Sequence, residues 1–360
     1  MKKSNILKCR EEQGFTIIEL LVGITIGTIV CAAAFTALTS SSKATRANDQ
    51  TAQTQQNARV AMELLSHDIK MAGYGTGGPI NNCATAIVPS DNNVAGNDTG
   101  PDSLSLIVPT PVGTITTPVN GPITAITLST TGGLVPTSSI SIGGVVATTV
   151  ASLAGPTVTL GTTFNAPAAF PANTQVYWLQ CVTYQVIRAT DVNAAICGGS
   201  APCLARGVEA PLVAGKIDCN GPAGINVCVA IAEGIEDLQL SYACDGCNAA
   251  VNSGIADRVV DDQGAVDNIF GAGDFVSNNN WALTPMTPDA IRLVLVSIVA
   301  RDTRVGQGFG EGNSVMANTS GPMVVQDHDP SADLGYDAPT YQQFRRRLVT
   351  RTVEVRNIGI

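Results

Sequence analysis

The chain has 360 residues, of which 14% are charged, and its formal net charge is −9. Nucleic-acid binding needs a basic face, and the concentrated basic run is limited to Arg345, Arg346 and Arg347, so the composition argues against DNA or RNA as a ligand of the body. Abundant Gly, Thr, Ser, Asn and Ala are typical of exported β structure rather than of a cytosolic enzyme.

The N-terminus combines a basic leader, residues 1–14, with an apolar run from Phe15 to about Leu38. About 24 residues at 1.5 Å each span roughly 36 Å, enough to cross a hydrocarbon core of about 30 Å. Residues 15–39 are therefore predicted to form a single membrane-spanning helix. The basic leader would stay in the cytoplasm and the remainder would lie outside.

The leader ends before the apolar run, at the Gly14–Phe15 junction. An ordinary secretory signal is cut after its apolar core, whereas cleavage here would retain the helix. Glu19 then lies inside the apolar segment, where an isolated charge costs at least a few kcal/mol. The amine created at Phe15 is the expected partner, on the same chain or on a neighbour. The alternative is a carboxylate that snorkels to the membrane interface.

The run Gly14-Phe15-Thr-Ile-Ile-Glu19-Leu-Leu-Val resembles the prepilin processing motif of type IV pilins and type II secretion pseudopilins. The resemblance implies cleavage after Gly14 by prepilin peptidase, N-methylation of Phe15 and pairing of Glu19 with a subunit's N-terminus. Thr36 stands where many major pilins carry a helix-bending proline, which favours a minor subunit or a pseudopilin.

Residues 40–72 are predicted to continue the helix outside the membrane. Apolar residues recur there at spacings of three and four: Ala58, Met62, Leu65, Ile69 and Ala72. Polar residues are expected on the other face: Arg59, Glu63, Ser66 and Lys70. Glycines from Gly73 onward end the helix. Its lower half would pack in a filament and its upper half would support a globular domain.

Residues 73–187 are predicted to form a β-rich region. No charged residue occurs from Ser103 to Ile187, where Thr, Val, Ile and Gly alternate with turn-forming Pro and Gly. The region is expected to be a structural sheet; the functional alternative is an adhesive or subunit-packing surface.

Residues 188–360 are predicted to form a C-terminal β-sheet domain with disulfide-rich loops. Leu238, Leu240 and Tyr242 alternate with polar residues, and residues 291–299 are almost continuously apolar. A further alternation at Val353 and Val355 completes the sheet that we expect to pack on the helix.

Eight cysteines follow the apolar helix, and export to an oxidising compartment favours disulfides over metal or redox chemistry. The expected local pairs are Cys197 with Cys203, Cys219 with Cys228 and Cys244 with Cys247, which leaves Cys83 with Cys181. Zinc held by four thiolates or imidazoles is the alternative.

The sequence contains no nucleophile motif and no phosphate-binding loop, so no enzymatic activity and no cofactor are predicted. His67 is expected to be solvated or to pack on the helix. Asp327, His328 and Asp329 could ligate a metal. Weak calcium candidates lie in a Gly- and Asn-rich segment: Asp245, Asp261, Asp262, Asp267 and Asp274. A solvated acidic loop without metal is preferred for both groups.

Four segments resemble the PilW family of minor pilins: residues 64–74, 233–242, 290–296 and 344–357. The resemblance implies an α+β, type IV pilin-like fold, with a long N-terminal helical spine packed on an enlarged antiparallel β-sheet domain. It also implies a minor pilin that contributes to initiation or priming of pilus assembly, with the filament tip as a candidate position. The alternatives are a type II secretion pseudopilin, or a tip adhesin displaying residues 79–175.

This resemblance also implies the partners and location. The expected partners are the prepilin peptidase/N-methyltransferase, the major and other minor pilins, and the inner-membrane assembly platform. The chain would be a single-pass protein of the inner membrane with its C-terminal domain in the periplasm, and would later be part of the pilus at the cell surface.

Overall fold

The computed structural model describes residues 14–91, 93–94, 97–164, 169–199, 201–213, 216–220, 227–247, 255–261, 270–277, 287–304, 321–333 and 335–358. It combines a long N-terminal helix, α1 (Ile17–Met71), with a large antiparallel β domain packed on the helix's second half. The predicted α+β, pilin-like architecture is thus confirmed.

Helix α1 is continuous over 55 residues, about 82 Å at 1.5 Å per residue. Thr36, at the position where a proline would bend the helix, donates a hydrogen bond from Oγ1 to the Ala33 carbonyl at 2.8 Å. The helix stops at Met71, and Gly73 follows with φ of +79°. A Cβ at Gly73 would lie 2.9 Å from the Ala86 Cβ, so both conformation and space require glycine there.

The larger sheet is built around a long central strand. Its strands are β1 (Ile87–Ser90), β4 (Ser103–Thr114), β5 (Ile123–Thr127), β6 (Ser139–Ile142), β7 (Val146–Ala154), β8 (Thr157–Phe164), β9 (Gln175–Ile187), β10 (Cys203–Val208) and β13 (Cys228–Glu233). Two short hairpins lie beside it, β2 (Asn93–Val94) with β3 (Asn97–Asp98) and β11 (Leu212–Val213) with β12 (Lys216–Ile217). Strand β4 pairs along one edge of β9, while β6 and β10 divide the other edge.

Residues 112–164 and 169–178 form what we call the uncharged lobe. Strands β5 to β8 and the adjoining ends of β4 and β9 enclose a separate apolar core there. Its fully buried members include Ile115, Ile126, Leu128, Ile140 and Ile142. The prediction of short strands without a helical period is confirmed for this part of the chain.

A second sheet packs directly on the helix. It contains β14 (Ile235–Cys244), β15 (Ile291–Arg301) and β16 (Arg346–Glu354), in that order and antiparallel. Side chains of α1, of this sheet and of the larger sheet share one core, which includes Leu65, Leu104, Tyr184, Leu240 and Val296. We call this part of the molecule the helix-packed region. The strands predicted to form the main sheet are thereby confirmed.

The expected boundary between residues 187 and 188 does not separate two sheets. Strand β10 lies after it and pairs with β9, which lies before it, with Cys203 opposite Ile187. Residues on both sides of the boundary also belong to the same apolar core. The organisation that the structure supports is the uncharged lobe and the helix-packed region.

The buried arc of α1 is wider than one apolar stripe. All five predicted stripe residues, Ala58 to Ala72, are buried, but so are Ser66 and Asp68. The placement of Ser66 on the solvent face was therefore wrong. The reason is that α1 contacts strands of both sheets, so protein covers two sides of the helix.

The second face of the smaller sheet is also covered. Gln239 and Ser241, which alternate with the apolar residues of β14, are buried rather than solvated. Gln239 Nε2 donates to the Gly100 carbonyl at 3.2 Å, and Gln326 Nε2 donates to Ser297 Oγ at 3.1 Å. Segments outside the sheet thus provide hydrogen bonds where strand alternation alone predicted water.

Candidate assembly site

The first half of α1 exposes apolar side chains on all sides. Phe15 is 87% exposed, and large apolar residues remain exposed as far as Leu38. Within Ile17–Met71, an 18-residue window reaches a mean hydropathy of 2.3 with none of its residues buried. Among the described residues this is the one helix long and apolar enough to cross a membrane. So much exposed apolar surface requires lipid or partner helices to cover it.

The predicted processing junction lies just outside the helix. Gly14 and Phe15 are exposed, and α1 does not begin until Ile17. Among the described residues, nothing lies within 4 Å of the place a Gly14 Cβ would occupy. The peptide bond between Gly14 and Phe15 is therefore accessible to a protease.

Glu19 closes the first turn of α1 in a capping box. Its backbone N–H donates to Thr16 Oγ1 at 3.2 Å, and its Oε2 accepts from the Thr16 backbone N–H at 3.2 Å. The carboxylate also lies at the positive end of the helix dipole. The Thr-x-x-Glu spacing is the sequence signature of this arrangement, and our sequence analysis did not use it. Glu19 thus has a local partner in the unassembled chain.

Polar contacts attach the second half of α1 to the body. Thr54 Oγ1 donates to Asp302 Oδ1 at 2.8 Å, and Asn57 Nδ2 donates to the Glu233 carbonyl at 2.8 Å. Near the end of the helix, Asn357 Nδ2 donates to the Lys70 carbonyl at 2.9 Å. These bonds set the position of the helix along its axis relative to both sheets.

A buried charge cluster lies between α1 and the larger sheet. Asp68 Oδ2 accepts from Tyr184 Oη at 2.6 Å and from Arg206 Nε at 3.1 Å. Burial, together with the Asp68 carboxylate, raises the pKa of the Tyr184 hydroxyl well above its usual range. The neighbouring His67 is exposed, as predicted. Asp68 therefore orients the helix on the sheet.

The cysteine side chains are joined in four pairs: Cys83–Cys181, Cys197–Cys203, Cys219–Cys228 and Cys244–Cys247, the same pairs proposed from the sequence. Cys83–Cys181 connects the segment after α1 to β9, across 98 residues of sequence. Cys31, on the apolar half of α1, is exposed and unpaired among the described residues.

The predicted solvated acidic loop is not what the structure shows for Asp245, Asp261 and Asp274, which are buried. Each accepts backbone N–H groups in place of water; Asp261 Oδ2, for example, accepts from Cys247 at 2.8 Å. The sulfurs near Asp261 are joined in a disulfide and offer no thiolate to a metal. The other two calcium candidates, Asp262 and Asp267, lie outside the described residues.

His328 is likewise buried, contrary to the prediction of a solvated loop. Its Nδ1 donates to Asp237 Oδ2 at 2.8 Å and its Nε2 donates to Asp333 Oδ1 at 3.0 Å. Burial disfavours the charged ring, but the bonds to the two carboxylates outweigh it and raise the pKa of His328 to about 10. An imidazolium with both nitrogens engaged cannot bind a metal or serve as a general base.

A cavity of about 380 Å³ lies next to His328. Its charged walls are paired with one another: Arg188 Nη2 donates to Asp333 at 2.7 Å, and Arg346 Nη2 donates to Glu236 at 2.9 Å. The guanidinium of Arg346 also lies 3.3 Å from the centre of the Tyr341 ring. These contacts hold the segment before β16 against the smaller sheet.

Two family profiles match the chain. Residues 9–35, which include the Gly14–Phe15 junction and Glu19, match the prokaryotic N-terminal methylation motif. Residues 199–357, which include β10 and the whole smaller sheet, match the type IV pilus-assembly protein W family, PilW. The chain thus carries the N-terminal motif of type IV pilins and is similar to PilW over its C-terminal part. No curated protein and no solved structure matches it.

The two matches and the exposed helix together indicate the general role of the chain. The prepilin motif and the apolar helix indicate membrane anchoring, and the similarity to PilW supports a role in type IV pilus assembly in general. The motif also implies contact with the processing peptidase and with other pilins. The candidate assembly site is accordingly the exposed N-terminal half of α1, and the β domain is attached to the second half.

Proposed function

We propose that this protein is a minor pilin of the PilW family that primes type IV pilus assembly and is located at the filament tip. The observation that supports the proposal most directly is that the two halves of α1 have different surroundings. The half before residue 39 is apolar and exposed, and the second half is bonded to a large β domain. The first half supplies a surface for other pilin helices, and the second half fixes what those helices carry.

The geometry of the first turn supports the following account of processing and docking. Cleavage after Gly14 creates an amine at Phe15, which N-methylation leaves positively charged. In a filament, Glu19 exchanges its capping bonds with Thr16 for the charged N-terminus of a neighbouring subunit. A carboxylate in a low-dielectric bundle is strongly penalised when unpaired, so subunits in the wrong register are rejected.

The size of the body supports a position at the tip. Most of the chain lies beyond Met71, in two sheets and the uncharged lobe, all attached to one half of a single helix. A subunit inside a helical filament has neighbours above and below, whereas a subunit at the tip has one open side. A body enlarged by the uncharged lobe fits more readily where one side is open.

The processing part of the proposal is tested by mass spectrometry of the N-terminal peptide from membranes and from sheared filaments. The wild-type chain should begin at methylated Phe15, and Gly14→Val should retain the leader. Glu19→Val should be processed but absent from filaments. Thr16→Ala is the matched control, because it removes the cap and keeps the carboxylate, so it should still assemble. An intact leader in the wild-type protein would refute the pilin mechanism.

The priming and tip parts need separate measurements. Deleting the gene should reduce the number of pili, and immunogold labelling of the body should mark filament ends. Pili that remain normal while protein secretion is lost would replace this proposal with a type II secretion pseudopilin. Label along the whole filament would contradict the tip position.

An adhesive role is a second candidate, favoured by the separate core and charge-free sequence of the uncharged lobe. Thr114 and Gln175 are opposite each other in β4 and β9, so a short turn can join them and remove the lobe. In this variant, pilus number should be unchanged and surface adhesion of piliated cells should fall. Unchanged adhesion would leave the lobe with a structural role.

A further inference from the structure

Three aspartates meet near the junction of the two sheets, in a place where the sequence analysis predicted no site. Asp91 follows β1, Asp98 ends β3 and Asp102 precedes β4. One carboxylate oxygen of each lies within 4.8 Å of those of the other two. Asp98 is 5% exposed and Asp102 is 2% exposed, so water does not compensate these charges.

In two of these carboxylates, only one of the two oxygens accepts a hydrogen bond. Asp98 Oδ1 accepts from the Gly100 N–H at 3.1 Å, and Asp102 Oδ2 accepts from the Leu240 N–H at 2.7 Å. Within the part of the chain that the structure describes, Asp98 Oδ2 and Asp102 Oδ1 are buried and accept no hydrogen bond. Backbone groups thus hold each carboxylate in place while one oxygen of each remains free.

This arrangement differs from the other buried carboxylates of the body. Asp68 has Tyr184 and Arg206, and Asp237 has His328. At the aspartate cluster, burial raises the pKa of Asp98 to about 6, and the Asp327 and Asp237 charges add to the rise, although the His328 imidazolium opposes it. Among the described residues, Asp98 and Asp102 accept hydrogen bonds only from backbone N–H groups, whereas Asp68 and Asp237 each accept one from a cationic side chain.

The chemistry of the cluster selects the kind of cation. Its ligands are all oxygens, which hard divalent cations prefer, and both nitrogens of the nearby His328 are engaged elsewhere. Calcium binds oxygens at about 2.3–2.6 Å, so two of its ligands can be up to about 5.2 Å apart, whereas magnesium allows only about 4.2 Å. All three carboxylate oxygens lie within 4.8 Å of one another, a spread that the longer bonds of calcium can bridge.

We infer that Asp91, Asp98 and Asp102 form a calcium site that fastens the segment between β1 and β4 to the edge of β14. Asp102 already makes two bonds to that edge, because its own N–H donates to the Leu238 carbonyl at 2.8 Å. A bound ion would join β1 and β3 to the same point. The site would strengthen contact between the two sheets, and it would do so whatever the position of the subunit in a filament.

The test is a thermal unfolding titration of the full-length chain in detergent, after removal of metal with EGTA. Calcium chloride at millimolar concentration should raise Tm by about 2–4 °C, the response expected of a site with the affinity of extracellular calcium modules. Asp98→Asn and Asp102→Asn should abolish the rise. Asp274→Asn alters a buried carboxylate elsewhere, so this variant should still show the calcium-dependent rise in Tm.

The stability of Asp98→Asn relative to the wild-type chain, compared with and without calcium, separates metal binding from ordinary structural damage. In EGTA, Asp98→Asn should be at least as stable as the wild-type chain, because one of three mutually repelling carboxylates is neutral. In calcium it should be the less stable of the two. Three outcomes would each overturn the assignment. They are no rise in the wild-type Tm with calcium, an equal rise with magnesium chloride, and an unchanged calcium-dependent rise in both variants.

Discussion

The uncharged lobe and the helix-packed region are both antiparallel β structures, but they are held together differently. The lobe contains no charged residue, and its core consists of apolar side chains, with hydroxyl pairs such as Thr148 and Thr162, 2.9 Å apart, nearby. The helix-packed region places charged groups at the contacts between its parts, with Asp68 between α1 and the larger sheet and His328 over the smaller one.

The difference shows what each interaction contributes. Apolar burial is non-directional and is sufficient for strands that follow one another in sequence. A helix lying on two sheets could slide or rotate and still bury the same apolar area. Directional bonds from Asp68 and Asn57 remove that freedom. As a hypothesis, the charges of the helix-packed region specify one arrangement more than they add stability.

The largest expected effect comes from breaking a buried charge cluster. Asp68→Ala leaves Arg206 and the Tyr184 hydroxyl without their acceptor, and should lower the free energy of unfolding by about 3–5 kcal/mol. The change in the free energy of unfolding can be measured by denaturant unfolding of the full chain in detergent. Glu63→Ala is the matched control at an exposed position earlier on the same helix, and should change stability by less than about 0.5 kcal/mol. Equal effects would show that the cluster does not fix the helix.

A cavity in the uncharged lobe should have a smaller and more local effect. Ile140 is fully buried in the lobe core, and Ile140→Ala should cost about 2–4 kcal/mol. Hydrogen exchange followed by mass spectrometry should show faster exchange in β6 to β8 and little change in β14 and β15. Loss of protection in both regions would mean that they unfold as one unit.

The two regions should also respond differently to alkaline pH. The pKa of His328 is about 10 in the folded protein, above its ordinary value of 6.5. Its contribution is therefore fully present below pH 6.5 and is lost as pH rises through 10. Stability of the wild-type chain should fall more steeply over this range than that of His328→Asn. Parallel curves would show that the imidazolium does not contribute.

The smallest effect is expected from an exposed ion pair. Lys216 Nζ lies 3.0 Å from Asp191 Oδ1, and the lysine side chain is mostly exposed. Lys216→Ala should change the free energy of unfolding by at most about 0.5 kcal/mol, and the difference should vanish in high salt. A loss comparable to that of Asp68→Ala would remove the distinction between buried and exposed charges.

The sequence predicted what local patterns encode. The apolar run, the stripe from Ala58 to Ala72 and the alternation in β14 and β16 each report a single element, and the structure contains those elements. Cysteines close in sequence could be paired for the same reason. The capping box at Thr16 was also readable, through its spacing to Glu19.

Partners distant in sequence could not be predicted. Asp68 meets Arg206 from 138 residues away, and His328 meets Asp237 from 91 residues away. No local pattern marks which charge lies opposite which, so His328 was expected to be solvated and no partner was predicted for Asp68. Two further contacts were missed for the same reason. Strands β6 and β10 both pair with β9, and Gln239 is hydrogen-bonded to the distant Gly100 carbonyl.

The attachment of α1 to the body has a mechanical consequence. Thr54, Asn57, Asp68 and Lys70 are bonded to the β domain at intervals along about four turns of the helix. A pull along the helix axis loads these bonds together, in shear, instead of peeling them apart in succession. A subunit built in this way transmits tension from its N-terminal helix to its β domain without first coming apart at one end.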